Sequence, residues 1–192
     1  MSGSGPDEMS LVQQAASDAE AFGELYSRHV KRIYNYMYYR TGDYQDAEDL
    51  TARVFQRALG HVGSFQDQGV PFSAWLYRIA HNLVANWHRD RSRRPIVPLD
   101  DHVVESGSGS HPESLAVAME ENQMLLAAVR RLSADRQELL ILKFVERLPN
   151  AEIGEIMGRT EGAIKSLYHR TLNALREEIQ KTEQEASEGG GA

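Results

Sequence analysis

Asn150 to Arg176, NAEIGEIMGRTEGAIKSLYHRTLNALR, reads as a helix, a tight turn and a second helix. In the first part Ile153, Ile156 and Met157 stand at i, i+3 and i+4, one apolar stripe of an amphipathic helix. Gly158 follows, the residue type that enters the left-handed conformation and ends helices. Thr160 is a good N-cap for the next helix, and Glu161 lies in its first turn, where the helix dipole favours an anion. Ile164, Leu167, Tyr168, Leu172, Leu175 and Ile179 then fall on the inward side. Lys165, Ser166, His169 and Arg170 fall outward near the N-terminal end, as a helix-turn-helix presents side chains to the DNA major groove. A helical hairpin with a solvated basic face has the same pattern, so DNA binding needs support from elsewhere in the chain.

Helical periodicity continues upstream. Ala19 to Arg40 carries Phe22, Leu25, Tyr26, His29, Ile33, Tyr36 and Met37 in one stripe, and Thr41-Gly42-Asp43 breaks it. Residues 44–60 repeat the pattern with Ala47, Leu50, Thr51, Val54, Phe55 and Ala58. Pro71 suits the start of a third helix, which runs to about Arg91. Further on, Leu125, Val129 and a Ser133-capped helix with Leu139, Leu140, Leu142, Phe144 and Val145 lead into the helix-turn-helix. The fold class is therefore all-α, two small helical domains joined by a flexible acidic linker. The boundaries read as a disordered or partly helical lead over 1–18, a first domain over 19–94, a linker over 95–112, a second domain over 113–181 and a disordered tail over 182–192. The start, MSGSGPDE, is small and polar, and the linker holds prolines, SGSGS and acids.

Composition limits the class further. Hydrophobic residues make up 41% of 192, enough for a core. No cysteine is present, which excludes disulfides, thiolate zinc sites and a cysteine nucleophile. No apolar run approaches the roughly 18 residues of a membrane span, and no secretory segment follows the N-terminus, which fits a cytoplasmic protein. The net charge of −7 is unusual for a DNA binder, but it is segregated. Residues 28–60, 61–94 and 130–176 are net positive, at +2, +3 and +3, while 1–27, 95–129 and 177–192 carry −5, −6 and −4. With a Debye length of about 8 Å, local charge decides contact with phosphate. Weak affinity for DNA in isolation follows, and with it the need for a larger partner.

The third helix has a second face. Beside its inward stripe of Leu76, Ile79, Ala80, Leu83, Val84 and Trp87 it carries Trp75, Arg78, Asn82, Asn86, Arg89 and Arg93. Aromatic, amide and guanidinium groups together are what single-stranded DNA binding uses, through stacking, base-edge hydrogen bonds and phosphate contacts. The preceding loop, SFQDQGVPFSAW, holds two phenylalanines and Gly69, and could hold a base pulled from the stack. The alternative is that Phe72 and Trp75 complete the core.

Catalysis has no support in the chain. His29, His61, His81, His88, His102, His111 and His169 form no HExxH, and His81 and His88 are too far apart for a compact ligand pair. Asp43, Asp46, Glu48 and Asp49 cluster at a helix start, where acids stabilise the dipole. Walker, GxSxG and GxGxxG motifs are absent. No enzyme activity, metal or cofactor is expected. Two rival classes stay open on the residues alone: a helix-turn-helix regulator that dimerises on duplex operators without polymerase, and a helical adaptor that binds only protein. The first gives the 75–93 face no use, and the second predicts that charge reversal at Lys165 and Arg170 leaves activity intact.

Four segments in order resemble the extracytoplasmic-function class of bacterial sigma factors, the two-domain initiation subunits of RNA polymerase. DAEDLTARVFQRAL (Asp46 to Leu59) resembles the family's polymerase-binding helix, and PFSAWLYRIAHNLVANWHR (Pro71 to Arg89) its −10 melting helix. LSADRQELLILKFVERL (Leu132 to Leu148) and the helix-turn-helix resemble its −35-binding domain. The resemblance implies a promoter-melting bundle and a helix-turn-helix domain. It implies that Asp49, Arg53 and Gln56 dock on the clamp of core RNA polymerase, with a second contact at the flap. It implies that Phe72, Trp75, Arg78, Asn82, Asn86 and Arg89 serve the melted −10 strand, with the Ser64–Phe72 loop pocketing a flipped base. Lys165, Ser166, His169 and Arg170 would read the −35 element, with Arg159 and Thr160 near phosphate. The linker 95–112 would thread towards the polymerase active site, and an anti-sigma factor is an expected partner. The chain departs from the family pattern at Ala52-Arg53, where Gln-Glu is common, and at Leu167, where Arg is common.

Overall fold

The computed structural model describes residues 7–66, 70–90 and 124–189. Helices α1 (Glu8–Gln14), α2 (Ala19–Thr41), α3 (Tyr44–His61) and α4 (Phe72–Asp90) build the first domain. Helical residues 124–131 (α5), then α6 (Ala134–Leu140), α7 (Asn150–Met157) and α8 (Glu161–Gly189), build the second. No strand occurs among the described residues, so the fold is all-α.

Local chemistry sets the breaks. Asp18 caps α2 by accepting the Glu20 N–H at 2.9 Å. Gly42 ends that helix at φ 77°, its N–H donating to Tyr38 O. Asp43 then caps α3 by accepting the Asp46 N–H at 2.9 Å. Gly158 closes α7 at φ 65° in the same way as Gly42. Arg147 closes the α6 segment in the left-handed region at φ 56° without being glycine. Around it Glu146 N–H donates to Ile141 O and Leu148 N–H to Leu142 O, both at 3.0 Å.

The lead, read as disordered or partly helical, forms α1, because Leu11, Val12 and Ala15 bury one face of it in the core and Glu8 meets His29. The α8 backbone stays helical to Gly189, past residue 181. Glu, Gln, Lys and Ala dominate this stretch, and no strong breaker comes before Gly189. Ser133 stands at the start of α6, but its side chain makes no cap bond; its carbonyl accepts from Arg136 and Gln137 instead. The linker 95–112 and the loop residues 67–69, including Gly69, lie outside the described residues.

Between Ile141 and Val145 the helix widens into a π turn. In a regular α-helix residues 138 and 146 would stand about 80° apart, eight steps of 100°. One extra residue in the turn brings Glu146 back into line with Glu138 and turns Phe144 and Val145 outward. Glu138 and Glu146 are accordingly buried, while Phe144 is 56% and Val145 43% exposed.

The two domains share one core. The buried cluster that holds Leu25, Ile33 and Leu76 continues without a break into Leu139, Leu142 and Ile153. The stripe on α2 and α4 is wide enough to serve both domains. Tyr77, outside the inward stripe read from the sequence, is 1% exposed because the second domain covers it.

Candidate nucleic-acid interface

Three surfaces stand out, and the fold places each on a helix whose opposite face is buried. The first is the start of α8. Thr160 Oγ1 accepts the Ala163 N–H at 3.2 Å and fixes the helix entry. A Cβ on Gly154 would lie 2.6 Å from the Arg159 carbonyl oxygen, so α7 and the turn approach closely only because position 154 lacks a side chain. Lys165, Ser166, His169 and Arg170 are then all exposed on one side. Lys165 pairs with Glu161 at 2.8 Å, and the Arg170 guanidinium donates to Ser166 O at 3.3 Å. Arg159 pairs with Asp135 across the turn. Such exposed pairs contribute about 0–1 kcal/mol and exchange readily for phosphate. Leu167 is buried, so this departure from the family pattern supplies core and not a reading group.

The second surface is α4. Arg78, Asn82 and Arg89 are exposed and Asn86 half-buried on one stripe, with Arg89 donating to Asn86 Oδ1 at 2.8 Å. Trp75 is half-buried at the top of the stripe, its ring 5.3 Å from Phe65 and 5.4 Å from Phe72 between centroids. A cavity of about 250 Å³ opens here, lined by Ser64, Phe65, Gln66, Val70, Trp75 and Arg78 from the first domain. Glu155 of α7 also lines it. Phe72 corrects the sequence reading. It is 1% exposed and packs edge-on against His29 and Phe65, so it belongs to the core and cannot reach a base. Phe65 and Val70, both within the Ser64–Phe72 loop, are the apolar wall residues from that loop. At the other end of α4, burial and then the Arg40 charge push His88 below its ordinary 6.5, which keeps it neutral.

The third surface belongs to α3. Asp49, Arg53 and Gln56 are exposed along one face, above buried Leu50 and Val54. A shallow groove of about 330 Å³ runs beside them between Tyr26, Lys31, Tyr34, Glu48 and Ala52. The second domain carries a different groove, almost wholly apolar and also about 330 Å³, formed by Leu125, Val129, Leu140, Phe144 and Leu175 with Tyr39. The π turn leaves Phe144 and Val145 on the surface of this domain. Among the described residues no group of His, Asp or Glu converges as a metal site, and no helix is long and apolar enough to cross a membrane.

Comparison with known proteins finds two family models on this chain, Sigma-70 region 2 over residues 25–94 and Sigma-70 region 4 over residues 122–175. The first spans α2 to α4, and the second holds the helix-turn-helix. The ECF RNA polymerase sigma factor BldN of Streptomyces coelicolor is 41% identical over 168 residues, covering 87% of this chain. The match takes in 64% of that relative, so the chain spans just under two thirds of its length. The ECF RNA polymerase sigma factor SigW of Bacillus subtilis is 30% identical over 88% of this chain and 94% of its own length. Among solved structures, the sigma factor RpoE of Bartonella quintana, in complex with the anti-sigma factor NepR, matches with a TM-score of 0.64. It is 22% identical and covers 84% of this chain and 98% of that one, a likeness of fold.

Proposed function

This chain belongs to the extracytoplasmic-function RNA polymerase sigma factors, and from that premise we propose how its surfaces serve transcription initiation. It binds core RNA polymerase and directs promoter recognition and melting. The α3 face of Asp49, Arg53 and Gln56 docks on the polymerase clamp, and the apolar groove beside Leu125 and Phe144 offers the flap its contact. Trp75 stacks at the upstream edge of the melted −10 region, a flipped base enters the 250 Å³ cavity, and Arg78, Asn82, Asn86 and Arg89 track the unstacked strand. Lys165, Ser166, His169 and Arg170 read the −35 duplex, with Arg159 and Thr160 near its phosphates.

The observation that carries this reading is the pairing of two unlike surfaces on one chain. One is an aromatic–amide–guanidinium face with a base-sized cavity, and the other is a capped helix with an exposed basic start. A duplex-operator regulator has no use for the first, so that alternative is not favoured. The chain works in the cytoplasm, catalyses no reaction itself, and is held off by an anti-sigma factor, as the relative RpoE is bound by NepR. The test is in vitro transcription with purified core polymerase on genomic templates, followed by mapping of RNA 5′ ends. Discrete start sites that share upstream elements are expected; no initiation above that of core alone removes the reading.

A further inference from the structure

Between Arg159 and Arg170 the exposed face of α8 carries a single acid, Glu161. An acid there opposes the phosphate backbone, and the helix does not need it as a cap. Thr160 already fills that role, since its Oγ1 accepts the Ala163 N–H at 3.2 Å. The acid of a capping box stands at the third helical position, which here is Ala163. Glu161 instead turns along the helix. Its Oε1 lies 2.8 Å from Lys165 Nζ, and the two side chains are 50% and 62% exposed. Among the described residues no group other than Lys165 meets this carboxylate. The ammonium has three donors, of which the pair engages one.

Helical spacing puts Glu161, Lys165 and His169 on one row and Gly162, Ser166 and Arg170 on the next. The second row is folded back on its own backbone: Ser166 Oγ donates to Gly162 O at 3.0 Å and Arg170 Nε to Ser166 O at 3.3 Å. At its head Gly162 has no side chain, and a Cβ there would meet nothing within 4 Å, so open space flanks Glu161. The first turn of a recognition helix is the part that reaches base edges. This one leads with an acceptor and a donor standing a hydrogen bond apart.

A C·G pair presents the complementary arrangement in the major groove, with the cytosine N4–H donor beside the guanine O6 and N7 acceptors. Adenine N6–H is also a donor, but it stands between two acceptors, its own N7 and thymine O4, and both repel a carboxylate. Cytosine N4 has an acceptor on one side only. We propose that Glu161 and Lys165 act as one unit that reads a C·G pair in the −35 duplex, Glu161 accepting from cytosine N4 and Lys165 donating to guanine O6 or N7. The proposal rests on the reading of α8 as the −35 helix. Any other base pair at that place sets the carboxylate against acceptors, so Glu161 selects by exclusion as well as by attraction.

The test is selection by the full-length chain bound to core polymerase. Promoter duplexes built on a mapped start site and randomised across the −35 element are bound, and the bound fraction is sequenced. Wild type should enrich C·G at one position. Glu161→Ala should lower that preference about tenfold and leave the preferences at other positions in place. Glu161→Gln, whose amide can pair with adenine N6 and N7, should admit A·T at the same position. Lys165→Ala should flatten that position too, and the double variant should lose little more than either single one, as two members of a unit do. An acid that serves only the helix dipole would lower the thermal midpoint when removed and would move no base preference. Unchanged preferences in both Glu161 variants therefore overturn the proposal and leave the −35 reading standing. Glu161 and Lys165 variants that alter different positions overturn the shared pair. A pool from which wild type enriches no base at any −35 position overturns the proposal together with the −35 reading.

Discussion

Gly154→Ala places a methyl group 2.6 Å from the Arg159 carbonyl oxygen, with the Glu161 nitrogen at 3.5 Å. Both obstacles are backbone of the turn between α7 and α8, so no side chain can swing aside. Restoring an ordinary contact requires the turn to move by about 0.8 Å, an overpacking of the kind that costs about 1–3 kcal/mol. The same movement strains the Arg159 N–H to Gly154 O bond, now 2.8 Å, which contributes about 1 kcal/mol. Against this, alanine is the better helix former by about 1 kcal/mol. The clash wins, and a net loss of about 2 kcal/mol is expected. For a chain of this size that is a fall in Tm of roughly 4–8 °C. Thermal unfolding by circular dichroism measures it, with Gly23→Ala as the control. Gly23 lies inside α2 with nothing within 4 Å of an added methyl, so that change should raise stability by up to about 1 kcal/mol. A Gly154→Ala variant as stable as the wild type would show that the turn yields freely, and would refute the close-approach account of this glycine.

Trp75→Ala should leave affinity for core polymerase unchanged and weaken capture of the melted strand by about 1–3 kcal/mol, read as slower open-complex formation; equal loss of both would remove Trp75 from the strand-binding role. Lys165→Ala or Arg170→Ala should cost about 1–3 kcal/mol of −35 binding with relaxed discrimination if the contact is to a base, and should lower the salt slope by about one if it is to phosphate, as fluorescence anisotropy across salt concentrations distinguishes. The Glu138 carboxyl has its folded-state value lowered from the ordinary 4.5, so its contribution to stability is full above that pH and is lost as the pH falls through the folded value. Denaturant midpoints measured from pH 6 to pH 3 should fall in the wild type and fall less in Glu138→Gln; parallel curves would count against the pairing.

Much of the fold was legible because helical periodicity and caps are local. Asp18, Gly42, Asp43, Gly158 and Thr160 bound their helices through bonds that span four residues or fewer, which a linear reading can see. The outward faces at 165–170 and 75–89 followed from the same periodicity. Phe72 was misread because it sits at the junction of the two faces of α4, and only the rings of His29 and Phe65 decide which way it faces. The exposure of Phe144 and Val145 was not legible, because no glycine or proline announces the π turn that sets it. One signal was present: Glu138 and Glu146 interrupt an otherwise leucine-rich run, and an acid in such a place needs a partner.

The amino-acid sequence by itself determined the helices, their breaks, their apolar stripes and the segregation of charge, since each depends on residues within a turn or two of one another. Only the tertiary structure decided that the two domains close on a common core, that Tyr36, Arg40 and His81 gather on Glu138 while Arg32 and Tyr77 gather on Glu146, and that Glu155 reaches the Trp75 cavity. Those contacts join residues 57 to 114 positions apart, and a buried carboxylate takes its partners from whatever surface the packing brings to it.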